Sequence, residues 1–210
     1  MTEAVLHDYW RSSAAYRVRI VLNLKGVAYR AVPVDLRAGE QARGEHLALN
    51  PQGLIPVLEI DGEVLTQSLA IIDYLDATRP KPPMVSGDPA RRARTLAQAL
   101  VVAADIHPVN NLRVVNALRA DFAANEEQVG AWTRHWISLG FAALEAQAPA
   151  NGLFGGDRPD LADVCLVPQM YNARRFELDL APFPRLAAID ARLRALEPFA
   201  RAAPEAVRPA

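Results

Sequence analysis

Arg79-Pro80-Lys81-Pro82-Pro83 sets three prolines within four residues. Proline lacks an N–H and fixes φ, so neither a helix nor a central strand runs through such a stretch, which favours extended chain. The sequence is thereby divided, and the patterns on its two sides differ. Residues 1–79 read as one domain, 80–88 as a linker and 89–210 as a second domain.

Before the break, strand and helix patterns alternate. Val5–Tyr9 reads as a short strand. Across Ala14–Lys25 the apolar Tyr16, Ile20, Val21 and Leu24 recur at helical spacing, and Gly26 follows as a stop. Tyr16 shares that helix with Arg17 and Arg19, which the spacing assigns to an exposed side. Ala28–Val34 reads as a second strand and Arg43–Leu49 as a short helix ending before Asn50-Pro51. Val57–Ile60 and Glu63–Leu65 flank Asp61-Gly62, the dipeptide of a tight hairpin. Gln67–Thr78 is an amphipathic helix. The order βαβαββα predicts a right-handed parallel βαβ followed by an antiparallel hairpin, hence a mixed sheet. Beyond the prolines, strand signals vanish. Residues 90–104, 110–123, 126–146, 161–176 and 184–196 have helical composition, which predicts an all-α bundle, with the tail from Ala200 expected to fray.

Several function classes are disfavoured. Lys and Arg number 23 against 24 Asp and Glu, without the clustered excess of a nucleic-acid footprint. No stretch approaches the roughly 20 apolar residues of a membrane span, and Met1-Thr2-Glu3 opens no basic, apolar leader. Cys165 is alone, and His7, His46, His107 and His135 are scattered without zinc-site spacing, so no metal is expected. An intracellular, cytoplasmic protein is the expectation.

Three features of the first domain bear on a ligand. Ser12-Ser13 lies between the first strand and helix, where a serine caps the helix and the helix end favours an anion. A hydroxyl there can also donate to a thiolate. Ile55-Pro56 opens the third strand; spacing alone favours a trans bond, whereas a cis bond would present backbone groups to a peptide-like ligand. Gln67-Ser68 opens the third helix, as a cap or as a carboxylate site.

The blocks that contain these residues resemble the zeta class of glutathione transferases. The resemblance is carried by Arg11-Ser12-Ser13-Ala14-Ala15-Tyr16-Arg17-Val18-Arg19-Ile20, by Ala48-Leu49-Asn50-Pro51-Gln52-Gly53-Leu54-Ile55-Pro56-Val57-Leu58, by Gln67-Ser68-Leu69-Ala70-Ile71-Ile72-Asp73-Tyr74-Leu75, and by Asp160-Leu161-Ala162-Asp163-Val164-Cys165-Leu166-Val167-Pro168-Gln169. It implies the glutathione transferase fold, with an α/β thioredoxin-like glutathione-binding domain followed by an all-α substrate domain, and a homodimer. It further implies that glutathione is the cofactor, with Ser12 or Ser13 facing its sulfur, Ile55 with cis Pro56 pairing its cysteinyl backbone, and Gln67 and Ser68 holding its γ-glutamyl carboxylate. Ala14 stands where the class signature often carries cysteine, so no protein thiol acts there.

Within the class the implied activity is cis–trans isomerisation of a small maleyl dicarboxylic acid, by reversible thiolate addition. Maleylacetoacetate is the favoured substrate and maleylpyruvate the alternative. A transferase or dehalogenase of α-halo acids and a noncatalytic binding module are the rivals.

In the second domain, Pro108 interrupts a helical stretch at Asp105-Ile106-His107-Pro108-Val109-Asn110-Asn111-Leu112-Arg113. The polar residues around it either satisfy the kink or serve the site. The resemblance favours the site, with His107 as a catalytic and glutathione-binding candidate and Asn111 as a glutathione-binding one. Guanidinium groups match carboxylates bidentately, which nominates Arg11, Arg113 and Arg175 for the substrate. Asp160 and Asp163 read as a helix cap, the tryptophans as packing residues, with Trp10 near the site mouth, and Cys165 as a buried thiol.

Overall fold

Burial alternates along Ala4-Val5-Leu6-His7-Asp8, the period of a strand with one face on a core. This strand, β1 (Ala4–Asp8), is internal to a four-stranded sheet in the computed structural model, which describes residues 3–209. Met1 and Thr2, part of the N-terminal reading, lie outside the described residues. Helix α1 (Ser13–Leu24) returns the chain to β2 (Tyr29–Pro33), parallel to β1. After a short helix α2 (Gly44–Leu49), β3 (Val57–Ile60) pairs antiparallel with β1, and β4 (Glu63–Thr66) with β3, giving the order β2-β1-β3-β4. Asp61 and Gly62 adopt φ of 56° and 87°, the paired positive angles a two-residue hairpin requires. Helix α3 (Ser68–Thr78) follows.

The proline break is fastened at one point. The Lys25 ammonium is fully buried and donates to Asp76 Oδ1 at 2.9 Å and to the carbonyls of Arg79 and Pro82 at 2.6 and 2.9 Å.

Contacts divide the chain after Met84, inside the 80–88 stretch. The residues from Ala195 onward rejoin the first unit, while Val85–Arg194 form the second. The sequence pattern assigns the tail to the helical domain and expects it to fray; the structure corrects both expectations. The tail forms α10 (Glu197–Ala202) and α11 (Pro204–Val207), numbered after the helices of the second unit below, and packs on α1. Phe199, Ala202 and Pro204 are buried, and Asn23 Nδ2 donates to Pro198 O at 2.9 Å.

The second unit is helical. It contains α4 (Pro89–Leu100), a wide π turn over Val101–Ile106, α5 (His107–Val109), α6 (Leu112–Phe122), α7 (Glu126–Gln147), α8 (Leu161–Arg175) and α9 (Pro184–Arg194). Pro108 has no N–H for the helical ladder, and the π turn just before it takes up the mismatch, with the His107 N–H reaching back five residues to Val102 O. Gly140 of α7 packs against this turn: a Cβ there would meet Ile106 Cδ1 at 2.3 Å.

Asp160 and Asp163 cap α8 reciprocally, as the sequence predicts. Asp163 accepts from the N–H groups of Phe154, Gly155 and Asp160 at 2.9–3.0 Å, and Thr95 Oγ1 donates to Asp160 at 2.8 Å. Burial, with the Asp160 charge second, pushes the Asp163 carboxyl up to about 7. Cys165 is fully buried on the same helix. No helix among the described residues is long and apolar enough to cross a membrane.

Removing the Asp163 acceptor strands three N–H groups, so Asp163→Ala is expected to lower the unfolding free energy by about 3 kcal/mol in urea titration. The folded carboxyl is raised to about 7, whereas an unfolded aspartate titrates near about 4. The folded state therefore holds the extra proton across that window, and this contribution to stability is lost as pH rises through it. Thermal unfolding scans should show that slope in the wild type and a flatter one in Asp163→Asn.

Candidate active site

In the first unit, the chain between β1 and α1 is held from beneath by Arg19, which is 1% exposed. Its Nη1 donates to both Asp8 carboxylate oxygens at 2.8 and 2.6 Å, Nη2 to Trp10 O and Nε to Ala202 O, each at 3.0 Å. Burial raises the Asp8 carboxyl above its ordinary range, against the lowering effect of Arg19. Helical spacing expects Arg17 and Arg19 on an exposed side of α1. That expectation fails because α1 is enclosed around its circumference, with Ala15 to Leu22 all buried.

The loop then turns, Ser12 N–H donating to Tyr9 O at 2.7 Å. Ser12 has extended backbone and caps α1, its Oγ accepting from Ala15 N at 3.2 Å. The capping and functional readings are compatible. A hydroxyl has one donor and two lone pairs, and the cap uses only a lone pair. The Ser12 hydrogen stays available at the positive end of a 12-residue helix. Ser13 is the first residue of that helix, half-buried like Ser12.

The approach to β3 is braced by two side chains that sequence reasoning passed over. Asn50, 3% exposed, donates to Leu54 O at 2.7 Å and accepts from Gln52 N at 3.1 Å; His46 Nε2 lies 2.9 Å from the same carbonyl. The next peptide bond, Ile55–Pro56, is cis, against the expectation from spacing and in line with the resemblance. Asn-Pro marked a turn in the sequence, but the bracing bonds had no local signal.

At the start of α3, Gln67 adopts φ 64° and ψ 114°, a strained conformation for a non-glycine residue. Its side chain is exposed and donates to Gln52 Oε1 at 2.7 Å. Ser68 is buried, and Arg17, also buried, donates to its Oγ at 3.3 Å. The end of α3 thus combines a helix N-terminus, a hydroxyl and a cation. Arg11 is half-buried, with its guanidinium 4.7 Å from the Trp10 ring centroid and Nη2 donating to Tyr9 Oη at 3.3 Å.

The second unit contains the remaining candidates. His107 is half-buried in α5, after the π turn. Asn111 caps α6, accepting from Arg113 N at 3.1 Å, which leaves its amide N–H groups for another partner. Both polar side-chain atoms of neighbouring Asn110 are buried without a hydrogen-bond partner among the described residues. Trp132 Nε1 donates to Val109 O at 2.9 Å and pins the break. Arg113 and Arg175 are exposed. The two adjacent arginines of α8 part company here. Arg174 pairs with buried Asp190 at 2.7 Å, while the Arg175 guanidinium sits 5.0 Å from the Phe176 ring centroid. No group of His, Cys, Asp or Glu suited to a metal occurs among the described residues.

The first unit therefore has a thioredoxin-like sheet with a serine-capped helix and a cis-proline edge, and sequence comparison agrees with that architecture. The family described as glutathione S-transferase, N-terminal domain, matches residues 11–78. The chain belongs to the glutathione transferases, and within them to the zeta class. It is 54% identical over 210 residues to maleylacetoacetate isomerase of Rhizobium meliloti (strain 1021), covering 99% of each chain. A holo maleylpyruvate isomerase, a bacterial zeta-class glutathione transferase, superposes with TM-score 0.95 at 45% identity, covering 97% of this chain and 98% of the other. The maleylacetoacetate isomerase of Methylobacterium extorquens AM1, solved with malonate and glutathione, gives TM-score 0.93 at 39% identity over 98% of this chain and all of that one.

Asn50→Ala removes the brace behind Ile55 and is expected to weaken glutathione binding about tenfold. Isothermal titration calorimetry checks this, and an unchanged affinity would show that the loop holds its shape without Asn50.

Proposed function

We propose that this protein is a glutathione-dependent cis–trans isomerase that converts maleylacetoacetate to fumarylacetoacetate. The observation that carries the reading is the Ser12 hydroxyl, fixed as the cap of α1 with its hydrogen uncommitted among the described residues. The residues of the first unit fit a tripeptide thiol. They offer a hydroxyl at a positive helix end, a cis-proline edge, and a helix start backed by Arg17.

When bound, glutathione supplies a thiolate able to add reversibly to a conjugated double bond. Ser12, with Ser13 beside it, donates to that sulfur and keeps it ionised together with the dipole of α1. Ile55 and Pro56 hold the cysteinyl backbone. Gln67 and Ser68 bind the γ-glutamyl carboxylate, with Arg17 adding positive charge behind Ser68. His107 and Asn111 are assigned to glutathione as well, and His107 also to the proton or charge that the reacting carbonyl gains. Arg11, Arg113 and Arg175 bind substrate carboxylates. The absence of a cysteine at position 14 is consistent with chemistry in which the only reacting sulfur belongs to glutathione.

We extend the reading to a homodimer on the strength of the resemblance, and to the cytoplasm because the lone Cys165 suits a reducing compartment. The reaction would then serve aromatic amino acid breakdown. Maleylpyruvate is the second reading, supported by the 45% identity to the maleylpyruvate isomerase.

An isomerase assay with both maleyl acids, with and without glutathione, tests the reading. Glutathione-dependent turnover faster for maleylacetoacetate is expected; accumulation of a stable conjugate without isomerisation would replace it with a transferase. Removing both hydroxyls in the Ser12→Ala/Ser13→Ala variant should lower kcat about hundredfold, measured with saturating glutathione.

A further inference from the structure

The first unit contains a cavity of about 660 Å³ lined by Arg11 and by residues not assigned above to glutathione or substrate. Its lining includes Tyr29, Ala31 and Pro33, which share one face of β2, and Arg19 of α1. One wall is the loop Tyr9-Trp10-Arg11, and another is the end of the chain, Val207-Arg208-Pro209. The returning tail, which the sequence pattern leaves loose, thus helps enclose a cavity of a size typical for small-molecule sites.

The charges around it are arranged for an anion. Arg11, Arg37 and Arg208 line the cavity, and none of the three forms an ion pair with a carboxylate among the described residues. The two acidic residues of the lining are already engaged. Asp8 is held by Arg19 at 2.6 Å, and Asp35 accepts from the backbone N–H groups of Arg37 and Ala38 at 2.8 and 3.3 Å. The Arg11 and Arg208 guanidinium carbons lie 4.7 and 5.1 Å from the centroid of the same ring, that of Trp10. Their separation therefore cannot exceed the sum of those distances, a span that an extended diacid can bridge. Arg11 Nε is buried without a hydrogen-bond partner among the described residues, so that guanidinium has unspent donor capacity. Trp10, Pro33 and Val207 offer apolar surface in the same cavity to a carbon chain.

We propose that Arg208 is a substrate-specificity residue: with Arg11 it brackets Trp10 and binds the carboxylate of an elongated dicarboxylic acid remote from the reacting double bond. This rests on the isomerase reading for the choice of ligand. The C-terminal segment then measures substrate length. A short diacid is held at Arg11 alone, and an eight-carbon one also reaches Arg208.

The test is calorimetric titration of the glutathione-loaded protein with octanedioate, an unreactive diacid of eight carbons, and with butanedioate. Octanedioate is expected to bind the wild type, to bind Arg208→Ala about tenfold more weakly and to bind Arg208→Lys with intermediate affinity. Butanedioate and glutathione should bind wild type and Arg208→Ala equally. Equal octanedioate affinity in the two proteins, or no octanedioate binding to the wild type, overturns the proposal. So does an equal loss for butanedioate or glutathione, which would make Arg208 a structural residue. A protein that binds octanedioate through Arg208 yet isomerises no maleyl acid would overturn the isomerase reading and leave this site standing.

Discussion

The guanidinium of Arg19 ties together the end of β1, the loop that follows it and the returning C-terminal helix. A buried cation without partners would carry a large desolvation cost. Here Asp8 supplies the countercharge at 2.6 Å, and the carbonyls of Trp10 and Ala202 take further N–H groups. Buried ion pairs contribute little net stability when weighed against apolar packing, and their better use is to fix one arrangement. What is fixed in this case is the backbone from Asp8 to Ser12, from which Trp10, Arg11 and the capping hydroxyl project. The bond from Arg19 to Ala202 O fastens the tail to α1, and one cavity wall comes from residues nearly two hundred positions from the other.

Where the controlling forces are local, the sequence was legible. Asp61-Gly62 announced its hairpin because few dipeptides tolerate two positive φ angles, and Asp160 with Asp163 announced a cap because their spacing matches one helical turn. The proline run marked the division between units, and Pro108 marked a break, although the form of that break, a π turn closed against Gly140, depends on packing from α7. The burial of Arg17 and Arg19 depends on packing in the same way. Their partners Ser68 and Ala202 lie far away in the chain and Asp8 lies on the preceding strand, and helical spacing carries no trace of them. The cis bond before Pro56 was visible only through family resemblance, and the bracing of that loop by Asn50 and His46 was visible through neither route.

The candidate residues divide by chemistry. The first unit gathers groups that stabilise negative charge with fixed dipoles: the capped start of α1, the start of α3 and the buried Arg17 between them. The second unit contains a polar break at Pro108 and two adjacent arginines, Arg174 paired with Asp190 and Arg175 exposed.

Under the proposed function, Ser12 and the N-terminus of α1 keep the glutathione sulfur ionised. An ultraviolet difference titration of the bound thiol, in the wild type and in Ser12→Ala, measures this directly. A thiol pKa below that of free glutathione is expected in the wild type, with a shift back toward the free value in the variant. Identical titration curves in the two proteins would contradict it.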